Sequence, residues 1–309
     1  MAFANGSERR TAYVAETVFG QTPATPSFKL LRITGGGLRT NKGTATIDEI
    51  QADRNVRDEL MTSQDVTGSY DFELSGDTFD DFIAAALRGA WATNVLKNGV
   101  LRPSFTIEET INFGGTNSFS RFAGVMVNTM SLNLPSRQKV TGSFGLMGVQ
   151  ETLDSAIVTG ATYAAANTNQ PATSSANVGT LTVGGTTTPI RLKSLQLEVN
   201  NEMRVRDSVG TLLSAEFGVG RCNVTGTAEM YFEGNDQYAA VLAHGSGAIS
   251  FTVGVEANKK YTILIPKARF LDGAPNKGGN TDDVMLSLPF RGIFDSTTNA
   301  SIQITRAVA

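Results

Sequence analysis

The chain has 309 residues, of which 40% are hydrophobic and 18% charged, and its 26 Lys and Arg against 29 Asp and Glu give a formal net charge of -3. This composition is typical of a folded chain, and its negative charge argues against tight binding of phosphate backbones by the chain as a whole. The single cysteine, Cys222, and the single histidine, His244, exclude a disulfide and a structural zinc site within one chain, and no HExxH, GxSxG or GxxxxGK[ST] motif is present.

The N-terminal segment 1–28 contains Pro23 and Pro26 and could reach about 90 Å if fully extended. We expect it to be an arm that straps a neighbouring subunit. The following segment, 35–61, is long, polar and alternately charged, and loops of this length are usually functional or disordered. Its three glycines at 35–37 lack a following GK[ST], which favours a turn over a phosphate site.

Short segments with alternating polarity dominate the rest of the chain. In 66–74, Val, Tyr, Phe and Leu fall on one face and Thr, Ser, Asp and Glu on the other, which predicts a half-buried strand. The segments 130–134, 195–199 and 261–265 alternate in the same way. The sequence therefore predicts a mainly β protein.

One helix is predicted in each half of the chain. In the first, Asp77 is the expected cap, Asp80 lies three residues on, and an apolar stripe that includes Phe79 and Phe82 precedes Gly89. The second helix is predicted from about Asn235 to His244. His244 at its end favours a capping role over catalysis.

The two helices follow similar strands, which indicates an internal repeat. Residues 66–69 (VTGS) recur as 224–227 (VTGT), 104–107 (SFTI) recur as 250–253 (SFTV), and Arg57-Asp58 is echoed by Arg206-Asp207. We therefore predict an N-terminal arm at 1–28, a first β domain at 29–149, a linker or exposed arm at 150–189 and a second β domain with a C-terminal tail at 190–309. Two copies suit equivalent places in a ring.

Several stretches of the first half resemble the tail tube proteins of long-tailed (siphovirus-type) bacteriophages, specifically the type with two tube domains in one chain. The resemblance is carried by YVAET at 13–17, TPATP at 22–26, LRITGGGL at 31–38, DFELS at 71–75 and FDDF at 79–82. It covers most of the first half well and the second half weakly.

The resemblance implies two tandem tail-tube-type β-sandwich domains, each with one flanking α-helix. It also implies rings of three chains in which the inner sheets join edge to edge, stacked into a hollow tube for DNA. Closure of this kind removes sheet edges that would otherwise aggregate. The family's contacts with the next ring would involve about 35–61 and the arm at 1–28.

If the VTG strands line the bore, the polar faces supply small hydroxyls and carboxylates that repel phosphate and keep DNA from being trapped. An outer solvated surface is an equal alternative for these polar side chains. The candidates for the bore are Thr67, Ser69, Asp71, Glu73, Thr225, Thr227, Glu229 and Glu233.

A second set of charged residues could pair across stacked rings, with a solvated charged loop as the alternative. Exposed pairs contribute only about 0 to 1 kcal/mol each, but their repetition along a tube would set register. The candidates are Arg54, Arg57, Asp58, Glu59, Arg204, Arg206 and Asp207.

We therefore expect a non-enzymatic structural subunit of a virion tail, assembled in the host bacterial cytoplasm and used for genome ejection, with no cofactor, metal or membrane partner. Expected partners are further copies of the chain, the tape measure, tail tip and terminator proteins, and transiting double-stranded DNA that is not bound tightly. The alternatives are a carbohydrate- or receptor-binding β-sandwich, which one Trp and six Tyr make a weak candidate, and a glycosidase, for which the sequence places no carboxylate pair.

Overall fold

The computed structural model describes residues 3–174, 178–183 and 186–308, and for 178–183 and 186–190 only the backbone is considered. Some predicted segments extend beyond these residues. Positions 1–2 of the arm, 175–177 and 184–185 of the interval 150–189, and 309 of the tail lie outside the described residues.

The first half of the chain is built from eight strands and one helix, after a one-turn 3-10 helix at Gly6–Glu8. The elements are β1 (Arg10–Ala15), β2 (Ser27–Leu30), β3 (Gly35–Thr46), β4 (Glu59–Glu73), α1 (Asp80–Leu87), β5 (Val95–Lys97), β6 (Phe105–Asn112), β7 (Asn117–Pro135) and β8 (Thr141–Gly148).

Four short strands connect the halves: β9 (Gln150–Asp154), β10 (Thr162–Ala164), β11 (Val178–Val183) and β12 (Thr186–Ile190). The second half then comprises β13 (Leu192–Asn200), β14 (Arg204–Arg206), β15 (Glu216–Gly218), β16 (Asn223–Tyr231), α2 (Asn235–Leu242), β17 (Ser246–Val253), β18 (Lys260–Phe270), β19 (Pro275–Asn276), β20 (Met285–Gly292) and β21 (Gln303–Val308). The predicted fold class is confirmed: the described residues are mainly β, with one α-helix in each half.

A single antiparallel sheet runs through both halves in the order β3-β4-β8-β7-β13-β16-β20. Its seven strands span about 30 Å at the usual spacing of about 4.8 Å between neighbours. We call it the shared sheet. The alternation predicted for 66–74 is confirmed, since Val66, Tyr70 and Phe72 are buried whereas Ser69 and Asp71 are exposed.

The halves meet within this sheet, between β7 and β13. Seven residue pairs, from Thr129↔Asn200 to Pro135↔Ser194, form this intrachain joint. Asn201, only 1% exposed, follows β13 and donates through Nδ2 to Ala86 O at 2.9 Å. The joint is therefore a regular strand pairing reinforced by one buried amide.

A second layer covers the apolar face of the shared sheet and also crosses between the halves. β21 pairs with β18 of its own half and with β5 of the first half. Arg306 on β21 forms an ion pair with Asp80 of α1 at 2.5 Å, and Tyr261 on β18 donates to the same carboxylate at 2.6 Å. One hydrophobic cluster accordingly contains residues of both halves.

The repeat also includes the strands that lie at the edge of the second layer. β1 pairs with β6 in the first half, and β11 pairs with β17 in the second. The interval 150–189 thus contains strands that pair with the first half through β9 and β10 and with the second through β11. The proposed division into domains and the contact of the arm with a neighbouring subunit stay predictions.

Two local expectations are corrected. Asp77 does not cap α1: the helix begins at Asp80 with Phe79 at the N-cap and no side-chain cap, because the Asp77 carboxylate forms an ion pair with Lys259 instead. Arg57-Asp58 and Arg206-Asp207 are not equivalent in the fold, since Arg206 lies on the outgoing strand of its hairpin whereas Asp58 lies at the start of the returning one.

Candidate functional site

The solvent-facing side of the shared sheet is the most extended polar surface that the two halves build together. One row across it runs Asp71, Ser143, Ser131, Glu198, Thr225 and Arg291, each opposite the next on the neighbouring strand. The residues between them along each strand, such as Phe72 and Leu197, point into the core. We call this side the polar face.

The structure places seven of the eight bore candidates on this one face. Thr67, Ser69, Asp71 and Glu73 lie on β4, and Thr225, Thr227 and Glu229 lie on β16. Four strand spacings, about 19 Å, separate the two groups. Glu233 lies beyond the end of β16 and forms an ion pair with Arg191 at 3.4 Å.

Small hydroxyl and amide side chains dominate the middle of the polar face and bond to one another. Ser131 and Ser143 are 2.8 Å apart at their hydroxyls, Asn41 donates to Thr67 at 2.6 Å, and Ser194 donates to Glu229 at 3.0 Å. Over the intrachain joint the face forms a groove of about 480 Å³ lined by residues that include Asn133, Gln196, Glu198, Thr227 and Pro289.

One outer edge of the shared sheet is β3, whose far side pairs with no strand of the described residues. Its backbone groups are held by side chains instead: Arg9 donates to Gly36 O at 2.5 Å, and Leu38 N donates to Glu109 at 3.0 Å. The phenol of Tyr70 donates to the same carboxylate at 2.6 Å, and burial, followed by Glu109, raises its pKa well above the ordinary value. The β3 edge is therefore covered by side chains only.

The opposite edge lies at the end of β18 and at β19. Phe270 and Pro275 oppose Phe290 and Leu286 of β20, while residues 271–274 between them form no regular ladder. Leu271, Asp272 and Ala274 are exposed. This edge is shorter and less regular than the edge of β7 that pairs with β13.

The seven charged candidates for contacts between rings lie on two hairpins at one end of the shared sheet. Arg54, Arg57, Asp58 and Glu59 belong to the β3–β4 hairpin, where Arg57 pairs with Asp53 at 2.9 Å. An N–H of Asn55 on the Asp53 carboxylate lowers the pKa of that acid. Arg204 and Arg206 belong to β14, with Asp207 immediately after it.

The loop that joins β14 and β15 lies against β4 of the other hairpin. Gln64 N on β4 donates to Leu212 O at 2.8 Å, and Ser214 donates to Asp65. Arg206 is already paired with Glu216 of its own hairpin. Arg102, from the first half, pairs with the same carboxylate at 3.3 Å. Asp58 and Glu59 have no ion-pair partner within the described residues.

This surface offers edges and a long polar face. Within the described residues, no three His, Cys, Asp or Glu side chains come together as a metal site. The aromatic rings of Phe3, Phe113, Tyr231 and Phe294 are exposed and belong to four different segments of the chain. Neither α-helix of the described part is long and apolar enough to cross a membrane.

A comparison with protein families decides what kind of protein carries this surface. Residues 6–292 match the family described as phage tail tube protein. The chain belongs to the phage tail tube protein family. No curated protein matches it. As a tail tube protein it is a structural subunit that self-assembles into the tube of a virion tail and associates there with other tail proteins.

Sequence reasoning missed the side chains that cover the β3 edge of this tail tube subunit. Arg9 and Glu109 lie far from β3 in sequence, and no local pattern shows that they cover its edge. Phe217 on β15 and the arginine pair Arg269 and Arg291 were missed as well. The repeat offset could have found them, because it places Arg291 where the first half has Met147.

Proposed function

We propose that this tail tube protein closes into rings of three chains, that the polar face lines the bore, and that the stacked rings form the conduit for viral DNA. The single observation that carries the proposal is the intrachain joint between β7 and β13. It is one complete copy of an edge-to-edge connection, and the edges equivalent to its two sides pair with no strand among the described residues.

The equivalence follows from strand registers. Val66 opposes Gly148 as Val224 opposes Gly292, which relates β4 and β8 to β16 and β20. Leu38 opposes Gly68 as Leu197 opposes Gly226, so that β3 corresponds to β13. The β3 edge therefore corresponds to the side of β13 that pairs with β7.

The other half of the joint is found in the same way. Leu132 opposes Gly142 on β8, and Pro275 opposes Leu286 on β20 at the equivalent place. The stretch 272–276 thus corresponds to 129–133 of β7. Pairing of β3 in one chain with 272–276 of the next would repeat the intrachain joint, and three chains would provide six similar joints around an axis.

Within this assembly the bore candidates supply hydroxyls and carboxylates, so that phosphate is repelled and DNA passes without tight binding. The two hairpins with Arg54, Arg57, Asp58 and Glu59 and with Arg204, Arg206 and Asp207 lie at one end of the sheet, where stacked rings would meet. Tape measure, tail tip and terminator proteins would contact the ends of the tube. The chain would have a mechanical role without catalytic turnover.

Paired cysteines test the joint between chains. Glu198 opposes Ser131 within the chain, and the equivalent pair between chains is Arg39 with Ala274. Opposed residues of antiparallel strands have Cα atoms about 4.5 to 5.5 Å apart, which suits a disulfide. We expect Arg39→Cys with Ala274→Cys, in a Cys222→Ser background, to give covalent trimers under oxidising denaturing electrophoresis.

The matched control is Ser131→Cys with Glu198→Cys, which should close a disulfide inside one chain and leave the protein monomeric on the same gel. Burial raises the pKa of the Cys222 thiol to about 11, opposed by Arg88, and its replacement removes the native thiol. Compact monomers at every concentration, with the control disulfide formed, would refute the ring.

A further inference from the structure

The β3–β4 hairpin and the β14–β15 hairpin are equivalent extensions of the two halves. Thr46 opposes Glu59 near the outer end of the first, and Val205 opposes Phe217 in the second, at the offsets that relate β3 to β13 and β4 to β16. They differ in surroundings. The second hairpin is docked on the first half, whereas residues 44–46, 48–50 and 52–61 of the first are exposed.

The seat of the docked hairpin is apolar. Phe217 is only 2% exposed and packs with Met126 and Val149, and its ring lies 6.1 Å from that of Phe19. Leu213, Met203, Val205 and Met147 complete this cluster. The apolar side chains of this hairpin thus cover two opposed methionines at the end of the polar face, next to the joint that β13 forms with β7.

The equivalent seat in the second half is cationic. Met126 opposes Met147 in the first half, and the corresponding positions in the second are Arg269 and Arg291, which also oppose each other. Arg291 is exposed, and Arg269 donates to His244 O at 2.7 Å. Like charges directly opposite on antiparallel strands destabilise the pair, and within the described residues neither arginine has an ion-pair partner.

The hairpin that would cover this seat is anionic. Residues 47–60 contain Asp48, Glu49, Asp53, Asp58 and Glu59 against Arg54 and Arg57, and Arg57 is already paired with Asp53. Glu59 takes the place of Phe217, and Asp58 that of Glu216. At the position of Phe217 the hairpin and its seat are therefore both apolar in the second hairpin and both charged, with opposite signs, in the first, whereas Asp58 matches another acid.

We propose that the β3–β4 hairpin of one chain docks on the second half of a neighbouring copy, with Glu59 pairing with Arg269 and Arg291 of that copy and Asp58 adding negative charge beside them. The inference rests on the proposed ring, because the joint of β3 with 272–276 is what brings the hairpin over β18 and β20. Within a chain, β13 joins β7 and its hairpin lies over β7 and β8. Between chains the same relation places carboxylates on the arginine pair.

Charge reversal tests the pairing in the full-length protein. We expect Asp58→Lys with Glu59→Lys, and separately Arg269→Glu with Arg291→Glu, each to raise the concentration for half-maximal association by about tenfold to a hundredfold at low salt. Combining the four changes in one chain restores opposite charges at every contact and should recover association, whereas a mixture of the two variants restores at most two of the three contacts in a ring. Sedimentation velocity at two salt concentrations measures both effects.

Glu256→Lys is the matched control, since Glu256 is exposed on the turn before β18, and it should leave association unchanged. Wild-type association with no response to either reversal would overturn the pairing alone. Equal loss in the two variants without recovery in the combination would also overturn it, by indicating damage to each surface separately. A wild-type chain that never associates would overturn the ring and the docking together.

Discussion

Asn201 is the residue on which the connection between the halves most depends. Its Nδ2 donates to Ala86 O at 2.9 Å and to Asn128 O at 3.1 Å, and its own N–H donates to Asn128 O at 2.9 Å. Ala86 belongs to the last turn of α1, where backbone carbonyls lack partners within the helix. One side chain therefore ties β13 to both the helix and the sheet of the first half.

We expect Asn201→Leu to lower the free energy of unfolding by about 1 to 3 kcal/mol, because the Ala86 carbonyl loses its side-chain donor in a buried site. Urea denaturation followed by fluorescence or circular dichroism measures the change. Gln196→Leu on the same strand is the control: Gln196 is exposed on the polar face, and its replacement should change stability by less than about 0.5 kcal/mol. Equal effects of the two substitutions would contradict the role assigned to Asn201.

At the scale of the element, β3 is an edge strand that is protected by charged side chains rather than by another strand. Edge protection of this kind suppresses uncontrolled pairing. It also competes with the joint proposed between chains, since Arg9 occupies Gly36 O and Glu109 occupies Leu38 N. These two hydrogen bonds have to break before a neighbouring strand can pair with β3, and their loss favours the unassembled subunit.

Removal of this cover should favour association. We expect Arg9→Ala to shift the association equilibrium by about threefold to tenfold toward the assembled form. The variant has no Arg9–Gly36 hydrogen bond to break when β3 pairs, which removes a cost of about 1 kcal/mol. Light scattering against time and concentration measures it. Lys193→Ala, which removes an exposed positive charge away from the edge, is the control, and slower association of the Arg9 variant would contradict the expectation.

The sequence predicted elements whose signal is local. Alternation identified β4 and its two faces, because burial of Tyr70 and Phe72 on one side leaves a pattern of period two. The repeat identified the corresponding strands β6 and β17, but its motif match was out of register, since Phe105 opposes Val125 as Gly247, and not Phe251, opposes Ala268. These features follow from neighbours in the chain.

Features decided by distant partners could not be predicted in this way. Asp77 has the sequence pattern of a helix cap, yet Lys259, 182 residues away, takes its carboxylate. The pairing of β7 with β13 depends on which edges meet in space, and alternation is the same on every strand of the sheet. The covering of β3 by Arg9 and Glu109 likewise arises only from tertiary packing.

For the whole molecule, the charges of the polar face are unevenly placed. Asp71, Glu198 and Glu229 lie among the hydroxyls and amides of the middle strands, whereas Arg39 lies at one margin and the Arg269–Arg291 pair near the other. Docking of the β3–β4 hairpin would neutralise the arginine pair. An assembled bore would then present hydroxyls, amides and carboxylates to DNA, with Arg39 and the paired Lys139 as the cations that remain.

Added cations in the middle of the polar face should turn the conduit into a DNA trap. Thr67→Lys with Thr225→Lys places two new charges per chain, or six per proposed ring, on equivalent positions of β4 and β16. We expect assembled tubes of this variant to retain short double-stranded DNA at low salt and to release it as salt rises, because counterions compete for the phosphates. Wild-type tubes should retain little DNA under the same conditions, as measured by co-sedimentation.

The control variant is Thr116→Lys with Thr297→Lys, which adds the same charge at exposed loop positions in the two halves. Equal retention by both lysine variants would mean that the polar face does not line the bore.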